Sequence, residues 1–130
     1  MTPNDRKYTS THEWIKMEED LAVVGITSHA QQQLGDITFV ELPDIGQAVS
    51  AGDDVAEIES VKAAGDVYAP VDGEIADVNE ALEDEPEQVN LSPYEEGWIY
   101  KLKNVKAADL EALLDAKAYQ VVLEKEESDA

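Results

Sequence analysis

The fold of this chain is organised around residues 57–66, which read Glu57-Ile58-Glu59-Ser60-Val61-Lys62-Ala63-Ala64-Gly65-Asp66. The alternation of Val55, Glu57 and Glu59 predicts a strand that leads into this segment, and residues 66–70 predict a second strand that runs back. Lys62 then lies at the tip of a β-hairpin.

Lys62 is the first candidate functional residue. Its neighbours are Val61 and Ala63, and the nearest carboxylates are several residues away on either side. A lysine in a predicted turn is most often only a solvated turn residue. A primary amine held out from a rigid β scaffold is also what a modifying enzyme needs in order to attach a swinging cofactor arm.

Motifs along nearly the whole chain carry a family resemblance. The hairpin blocks are Glu59–Ala64, Asp66 and Ala69–Ile75. Further blocks are His12-Glu13-Trp14, Val24-Gly25-Ile26-Thr27, Ala30-Gln31, Gln33-Leu34-Gly35-Asp36, Phe39-Val40-Glu41-Leu42-Pro43, Val78-Asn79-Glu80-Ala81-Leu82, Glu85-Pro86, Val89-Asn90 and Pro93-Tyr94-Glu95-Glu96-Gly97-Trp98. In this order, and spanning about Tyr8 to Tyr119, they resemble the H proteins of the glycine cleavage system.

The resemblance implies a carrier protein without catalytic activity of its own. Lys62 would bear lipoic acid in amide linkage, and the arm would carry the aminomethyl group of glycine. The implied partners are the pyridoxal-phosphate-dependent glycine decarboxylase (P protein), the folate-dependent aminomethyltransferase (T protein), dihydrolipoyl dehydrogenase (L protein) and a lipoate-attaching enzyme. The implied fold is mainly β, a barrel-sandwich hybrid of the lipoyl and biotinyl type.

The resemblance also implies a cleft that receives the loaded arm. Glu13, from the His-Glu-Trp block, is expected beside it, and Asp66 is expected to supply a second acceptor for the charged aminomethyl group. Thr11 is a weaker third candidate, and His29, in the first turn of a predicted helix, is a fourth.

Local patterns predict the remaining elements of a single domain, residues 1–130, with its core at about 8–123 and flexible ends at 1–6 and 124–130. Ser28 and Gln31 fit a capping box for a short internal helix that Gly35 ends. Asn79 is predicted to cap one helical turn. Leucines and other apolar residues at helical spacing predict one or two C-terminal helices, with stripes at Leu110, Leu113, Leu114 and at Tyr119, Val122, Leu123.

The composition narrows the choice of function. Acidic residues number 30 against 9 basic ones, and the net charge of −21 argues against nucleic acid as a partner, because phosphate binding needs Lys and Arg. Such a charge suits either a well-solvated surface or a salty cytoplasm. The absence of cysteine excludes disulfides and thiolate metal sites, and no other metal site is predicted. The N-terminus lacks an apolar signal region and no segment suits a bilayer, so a cytoplasmic protein without membrane contact is expected.

Four alternatives stay open. A related hairpin carries biotin, although its lysine is typically flanked by methionines and not by Val61 and Ala63. A lipoyl domain of a 2-oxoacid dehydrogenase acyltransferase would lack the His-Glu-Trp block and the C-terminal helices. A hydrolase using Glu13 and Asp66 has no nucleophile elbow, phosphate loop or metal-ligand cluster to support it. A lipoyl-relay protein, which donates lipoate to 2-oxoacid dehydrogenase subunits, would also use Lys62.

Overall fold

The computed structural model describes residues 2–129, and the side chains over residues 2–126. Met1 and Ala130, at the two ends predicted to be flexible, lie outside the described residues. The elements, in chain order, are β1 Lys7–Tyr8, β2 Glu13–Glu18, β3 Leu21–Ile26, α1 Ser28–Leu34, β4 Ile37–Glu41, β5 Ala48–Val49, β6 Asp54–Ser60, β7 Ala64–Tyr68, β8 Gly73–Val78, α2 Ala81–Asp84, α3 Gln88–Leu91, β9 Tyr100–Lys103, α4 Ala107–Glu111 and α5 Ala116–Asp129.

Two antiparallel sheets make up the body of the protein. One has six strands in the order β1-β2-β3-β9-β8-β5, and the other has three in the order β4-β6-β7. Buried residues of both sheets belong to one apolar cluster, which includes Val24 and Ile75 from the larger sheet and Ile58 and Val67 from the smaller. The mainly β architecture predicted from the sequence is therefore confirmed, and the hairpin that ends at Lys62 belongs to the smaller sheet.

Gly25 allows the second apolar cluster to form. Gly25 pairs with Trp14 across β2 and β3, and a Cβ added to Gly25 would lie 2.7 Å from two atoms of the Trp14 indole. Trp14 packs in a cluster with Tyr8, Val23 and Tyr119. The absence of a side chain at Gly25 thus makes room for an aromatic ring.

Helix α1 forms as predicted, although its cap is a different residue. Thr27, with extended backbone angles, accepts a hydrogen bond from the Ala30 amide at 3.2 Å and is the N-cap, so the prediction of Ser28 is wrong by one residue. Gly35 ends the helix with φ 82° and ψ −156°, and its amide donates to the Gln31 carbonyl. This backbone conformation is essentially restricted to glycine.

Asn79 does not cap a helix. Helix α2 begins after Glu80, and the Asn79 side-chain amide instead donates to the carbonyls of Glu96 and Trp98, at 2.9 and 2.7 Å. Since Asn79 is buried, these two bonds satisfy both of its amide hydrogens. Asn79 ties the end of β8 to the loop before β9.

Arg6 and helix α5 lie close to the two ends of the chain. Arg6 is buried, stacks over the Trp14 ring and donates to the Tyr94 carbonyl at 2.9 Å. Helix α5 continues through the predicted flexible segment as far as Asp129. The two C-terminal helices, α4 and α5, are those predicted. Over residues 2–129, none of the helices is long and apolar enough to cross a membrane.

Candidate functional site

The hairpin tip that carries Lys62 is held by its own backbone. The Ser60 amide donates to the Ala63 carbonyl at 2.8 Å, and the Ser60 hydroxyl accepts from the amides of Lys62 and Ala63 at 3.3 and 3.0 Å. The Val61 amide donates to the Asp36 carbonyl at 3.0 Å, which anchors the tip to the segment after α1. The turn is therefore a fixed platform, as the sequence predicted.

Lys62 itself is exposed, and its stem lies on a glycine. A Cβ added to Gly35 would come within 3.2 Å of Lys62 Cε and within 3.7 Å of Cδ. Among the side chains described, residues 2–126, none forms a salt bridge with the Lys62 ammonium. The neighbouring Val61 is 70% exposed, so the tip of the hairpin faces solvent on both residues.

A cavity of about 180 Å³ lies beside this platform. Its walls come from the turn before β2, from β3, α1, β6 and β7, and its lining residues are Thr11, His12, Glu13, Ile26, Ala30, Gln33, Leu34, Ile58, Gly65, Asp66 and Val67. Leu34, which lines the cavity, is followed in the chain by Gly35, which contacts Lys62. Leu34 also packs against Gly65 of the hairpin, where an added Cβ would lie 3.2 Å from the Leu34 side chain. The structure thus brings Thr11, Glu13 and Asp66 into one cavity adjacent to the lysine.

Glu13 is the buried acid of this cavity. Its side chain is among the largest fully buried ones, and the residue is 1% exposed. One carboxylate oxygen, Oε1, accepts from the hydroxyls of Thr9 and Thr11 at 2.6 and 2.5 Å, whereas Oε2 accepts only a long bond of 3.4 Å from the Tyr68 amide. Burial raises the pKa of Glu13, and donation by Thr11 and Thr9 opposes that rise. Oε2 retains free acceptor capacity.

Thr9 and Tyr68 were not among the predicted site residues. Thr9 lies in the turn between β1 and β2, and its hydroxyl also accepts from the Glu13 amide at 3.1 Å, so its closeness to Glu13 in the chain is the one sequence signal that could have identified it. The Tyr68 amide could not have been identified, because it approaches Glu13 only through the packing of β7 against the turn before β2.

His29 does not line the cavity. Successive residues of a helix point about 100° apart, so the neighbouring Ala30 faces the cavity while His29 faces away. The His29 ring packs against His12, with ring centroids 4.6 Å apart, and lies near Glu126 of α5. Burial lowers the pKa of His12, and the Glu126 carboxylate opposes that decrease. The structure therefore differs from the prediction that His29 faces the cleft.

The residues present fit a lipoyl arm attached to Lys62. The amine is accessible and the tip is fixed, and the adjacent cavity combines apolar walls at Ile26, Leu34 and Val67 with polar groups at Glu13 and Asp66. Pockets for whole drug-sized ligands run from roughly 300 to 1,000 Å³. A cavity of about 180 Å³ suits the end of a tethered arm and not a free ligand of that size.

Comparison with known proteins extends this match to the whole chain. The family model described as "Glycine cleavage H-protein" matches residues 6–126. The glycine cleavage system H protein of Cronobacter sakazakii is 58% identical over 125 residues, which are 95% of this chain and 97% of that protein. The protein of the same name from a Psychrobacter species is 56% identical over 122 residues, 93% of this chain and 97% of its own length.

A solved structure has the same fold. The crystal structure of a glycine cleavage system H protein from Mycobacterium marinum superposes with a TM-score of 0.85 and 39% sequence identity, and it covers 94% of this chain and 98% of its own. The predicted fold class is confirmed by this match. The shared name favours a role in glycine cleavage over the lipoyl-relay alternative. The chain belongs to the glycine cleavage H-protein family, and its role is that of a non-catalytic lipoyl carrier in the glycine cleavage system.

Proposed function

We propose that Lys62 is the residue to which lipoic acid is attached, and that the end of the arm docks in the cavity lined by Thr11, Glu13 and Asp66. The accessible amine at a fixed hairpin tip is the observation that supports this assignment. A free amine on a flexible stem is a nucleophile that an attaching enzyme can reach, while the rigid hairpin presents it in one position.

The lipoyl group, held on Lys62, would supply a disulfide that accepts the electron pair left when glycine loses CO2, so that one sulfur would carry the aminomethyl group and the other would become a thiol. The chain's own residues then hold and shield that load. The apolar wall residues Ile26, Leu34 and Val67 exclude water from the end of the arm. The docked arm is favoured over the undocked arm only by the contacts that the load makes in the cavity and does not make in solvent.

Glu13 is the acceptor for the charged amine of the load. Its Oε1 is already bonded to two threonine hydroxyls, so Oε2 is the atom left to accept from an ammonium group. A buried carboxylate without a counter-charge is costly, and an incoming cation offsets that cost. Asp66 lines the same cavity from the exposed side and adds a second negative charge at its mouth.

The finer partner assignments are those that the family resemblance implies. The arm on Lys62 visits the glycine decarboxylase, the folate-dependent aminomethyltransferase and dihydrolipoyl dehydrogenase in turn, after a lipoate-attaching enzyme has modified the lysine. These enzymes act together on glycine, and we place the carrier with them in the cytoplasm. The remaining alternatives, among them lipoyl relay, are outcomes of the test below.

Reconstitution with glycine decarboxylase tests the proposal. The parent chain, Lys62→Arg and the control Lys106→Arg are each incubated with a lipoate-attaching enzyme and then assayed for release of CO2 from glycine. Lys106 is an exposed lysine at the start of α4, so its replacement leaves the hairpin unchanged. The parent and Lys106→Arg should support CO2 release, and Lys62→Arg should not. Activity with Lys62→Arg would overturn the assignment, and a lipoylated parent that supports no release would favour the relay role.

A further inference from the structure

Both histidines of the chain meet a carboxylate on one side of the fold. His12 lies in the turn before β2, His29 in the first turn of α1 and Glu126 near the end of α5, and one ligand atom from each lies within 4.8 Å of the others. The His12 Nε2 atom is 3.1 Å from a Glu126 carboxylate oxygen, and the His29 Nε2 atom is 3.9 Å from the other. The three residues are distant in sequence, so only the fold brings them together.

These separations are close to those that one metal ion requires. Zinc binds imidazole nitrogen and carboxylate oxygen at about 2.0–2.2 Å with tetrahedral geometry, which puts neighbouring ligand atoms about 3.3–3.5 Å apart. With Glu126 Oε1 as the shared ligand, the Nε2 atoms of His12 and His29 are 3.2 and 3.9 Å from it, and the three ligand atoms lie within 4.8 Å of one another, so the set must contract to hold the ion. Closing the set requires the half-buried His29 ring and the more exposed Glu126 carboxylate to move toward the ion.

Hydrogen bonds from neighbouring hydroxyl groups already orient the His12 ring. Its Nδ1 atom is 2.7 Å from the Tyr119 hydroxyl, which is in turn 2.7 Å from the Thr27 hydroxyl. The Tyr119 oxygen can accept a hydrogen bond from Nδ1–H, and in that tautomer the Nε2 lone pair is available to an ion that lies between the ring and Glu126. Metal-binding histidines are held in this way, with the second ring nitrogen donating to a fixed acceptor.

We propose that His12, His29 and Glu126 form a binding site for a divalent transition-metal ion, with Zn²⁺ as the representative ligand. Two imidazoles and one carboxylate are a donor set that suits zinc and its neighbours, whereas Mg²⁺ and Ca²⁺ prefer oxygen atoms alone. Glu126 is 45% exposed at its side chain, so the ion enters from solvent and a water molecule completes the coordination. This site is separate from lipoyl attachment at Lys62 and does not depend on it.

The ion would fasten the C-terminal helix to the wall of the cavity. Its ligands come from α1, α5 and the turn that carries Thr11 and Glu13, so binding favours the state in which all three are packed together. A ligand that binds only the folded state raises stability with its concentration. The expected effect is therefore a higher melting temperature in saturating Zn²⁺.

Calorimetric titration with ZnCl2 tests the site. The full-length chain is used without reducing agent, because the opened dithiol of a lipoyl arm would bind Zn²⁺ itself. The variants are His29→Gln and Glu126→Gln, and the matched control is Glu124→Gln, an exposed carboxylate two residues earlier on α5. An excess of KCl and MgCl2 screens the many surface carboxylates of this acidic chain.

We expect one Zn²⁺ per chain for the parent and for Glu124→Gln. Removal of a group that only hydrogen-bonds to a metal ligand typically weakens metal binding by about 10–100-fold, so loss of a ligand itself in His29→Gln or Glu126→Gln should weaken it by at least about tenfold. Saturating Zn²⁺ should raise the melting temperature of the parent but not that of His29→Gln. Equal affinities in all four proteins, or no binding by the parent, would overturn the proposal.

Discussion

The stem of Lys62 lies against Gly35, the residue that ends α1, and a Cβ on Gly35 would approach Lys62 Cε to 3.2 Å. The contact joins the helix that walls the cavity to the lysine at the hairpin tip. The amide of Val61, next to the lysine, also donates a hydrogen bond to the carbonyl of Asp36, next to the glycine. The platform for Lys62 is thus built from two segments, and the end of α1 is part of it.

Replacing Gly35 by alanine should lower stability and disturb Lys62. Gly35 has a φ of 82° in a region that costs other residues about 1–3 kcal/mol, and we expect a loss of that size in urea denaturation. Gly46→Ala is the control, because Gly46 has a φ of 93° with nothing within 4 Å. Both variants should be destabilised, but only Gly35→Ala should shift the NMR resonance of Lys62 Cε. An unshifted resonance would show that the contact is absent in solution.

The packing of Trp14 on Gly25 predicts a second stability effect. A Cβ on Gly25 would lie 2.7–2.8 Å from three indole atoms, so Gly25→Ala forces the ring to move from a buried site. Overpacking of this kind costs about 1–3 kcal/mol. Thermal denaturation of the double-mutant cycle with Trp14→Phe isolates the contact. Gly25→Ala should lower the free energy of unfolding less in the Trp14→Phe background than in the parent. An equal loss in both backgrounds would contradict the account.

Glu13→Gln should shorten the lifetime of the carried aminomethyl group. Glutamine keeps the shape and can still accept from Thr9 and Thr11, but it loses the charge at Oε2. A hydrogen bond to a charged group is worth about 1.5–3 kcal/mol, which corresponds to an acceleration of loss by about tenfold or more. The exposed carboxylate Glu41 provides the control, Glu41→Gln. Equal lifetimes for Glu13→Gln and the parent would remove Glu13 from this role.

The net charge of −21 predicts a strong response to salt. Carboxylates repel one another across the surface, and the screening length falls from about 10 Å at 0.1 M to about 3 Å at 1 M. Raising KCl over that range should raise the melting temperature by about 5 °C or more, a shift that corresponds to about 1 kcal/mol or more. Sucrose at equal osmolality controls for solute exclusion. An unchanged melting temperature in KCl would contradict adaptation to a salty cytoplasm.

Local patterns predicted the hairpin well because its chemistry is local. The strands on either side of Lys62 and the helix that Gly35 ends follow from nearest neighbours in the chain. The N-cap of α1 was predicted at Ser28 and is Thr27, because serine and threonine both suit that position. Asn79 was misassigned because its partners, Glu96 and Trp98, lie in a loop far along the chain.

The cavity was harder to predict from the sequence than the hairpin was. Glu13 and Asp66 are 53 positions apart in sequence, and their common cavity depends on how β2 packs against β7. His29 was expected in the cleft, and the structure has its helical neighbour Ala30 in the cavity lining and the His29 ring against His12. The contact between His29 and Glu126 could not be predicted while residues 124–130 were taken as a flexible tail. In the structure, Glu126 belongs to the last turns of α5.

Peptide mapping by mass spectrometry is the most direct test of the central claim, that Lys62 is the tether of the lipoyl arm. The chain is purified from its native host, digested and fragmented, and the modified residue is located. We predict one lipoyl group per chain, on the peptide that contains Lys62 and on its Nζ. A lipoyl group on another lysine, biotin at Lys62, or a chain that is entirely unmodified in cells that cleave glycine would contradict the account.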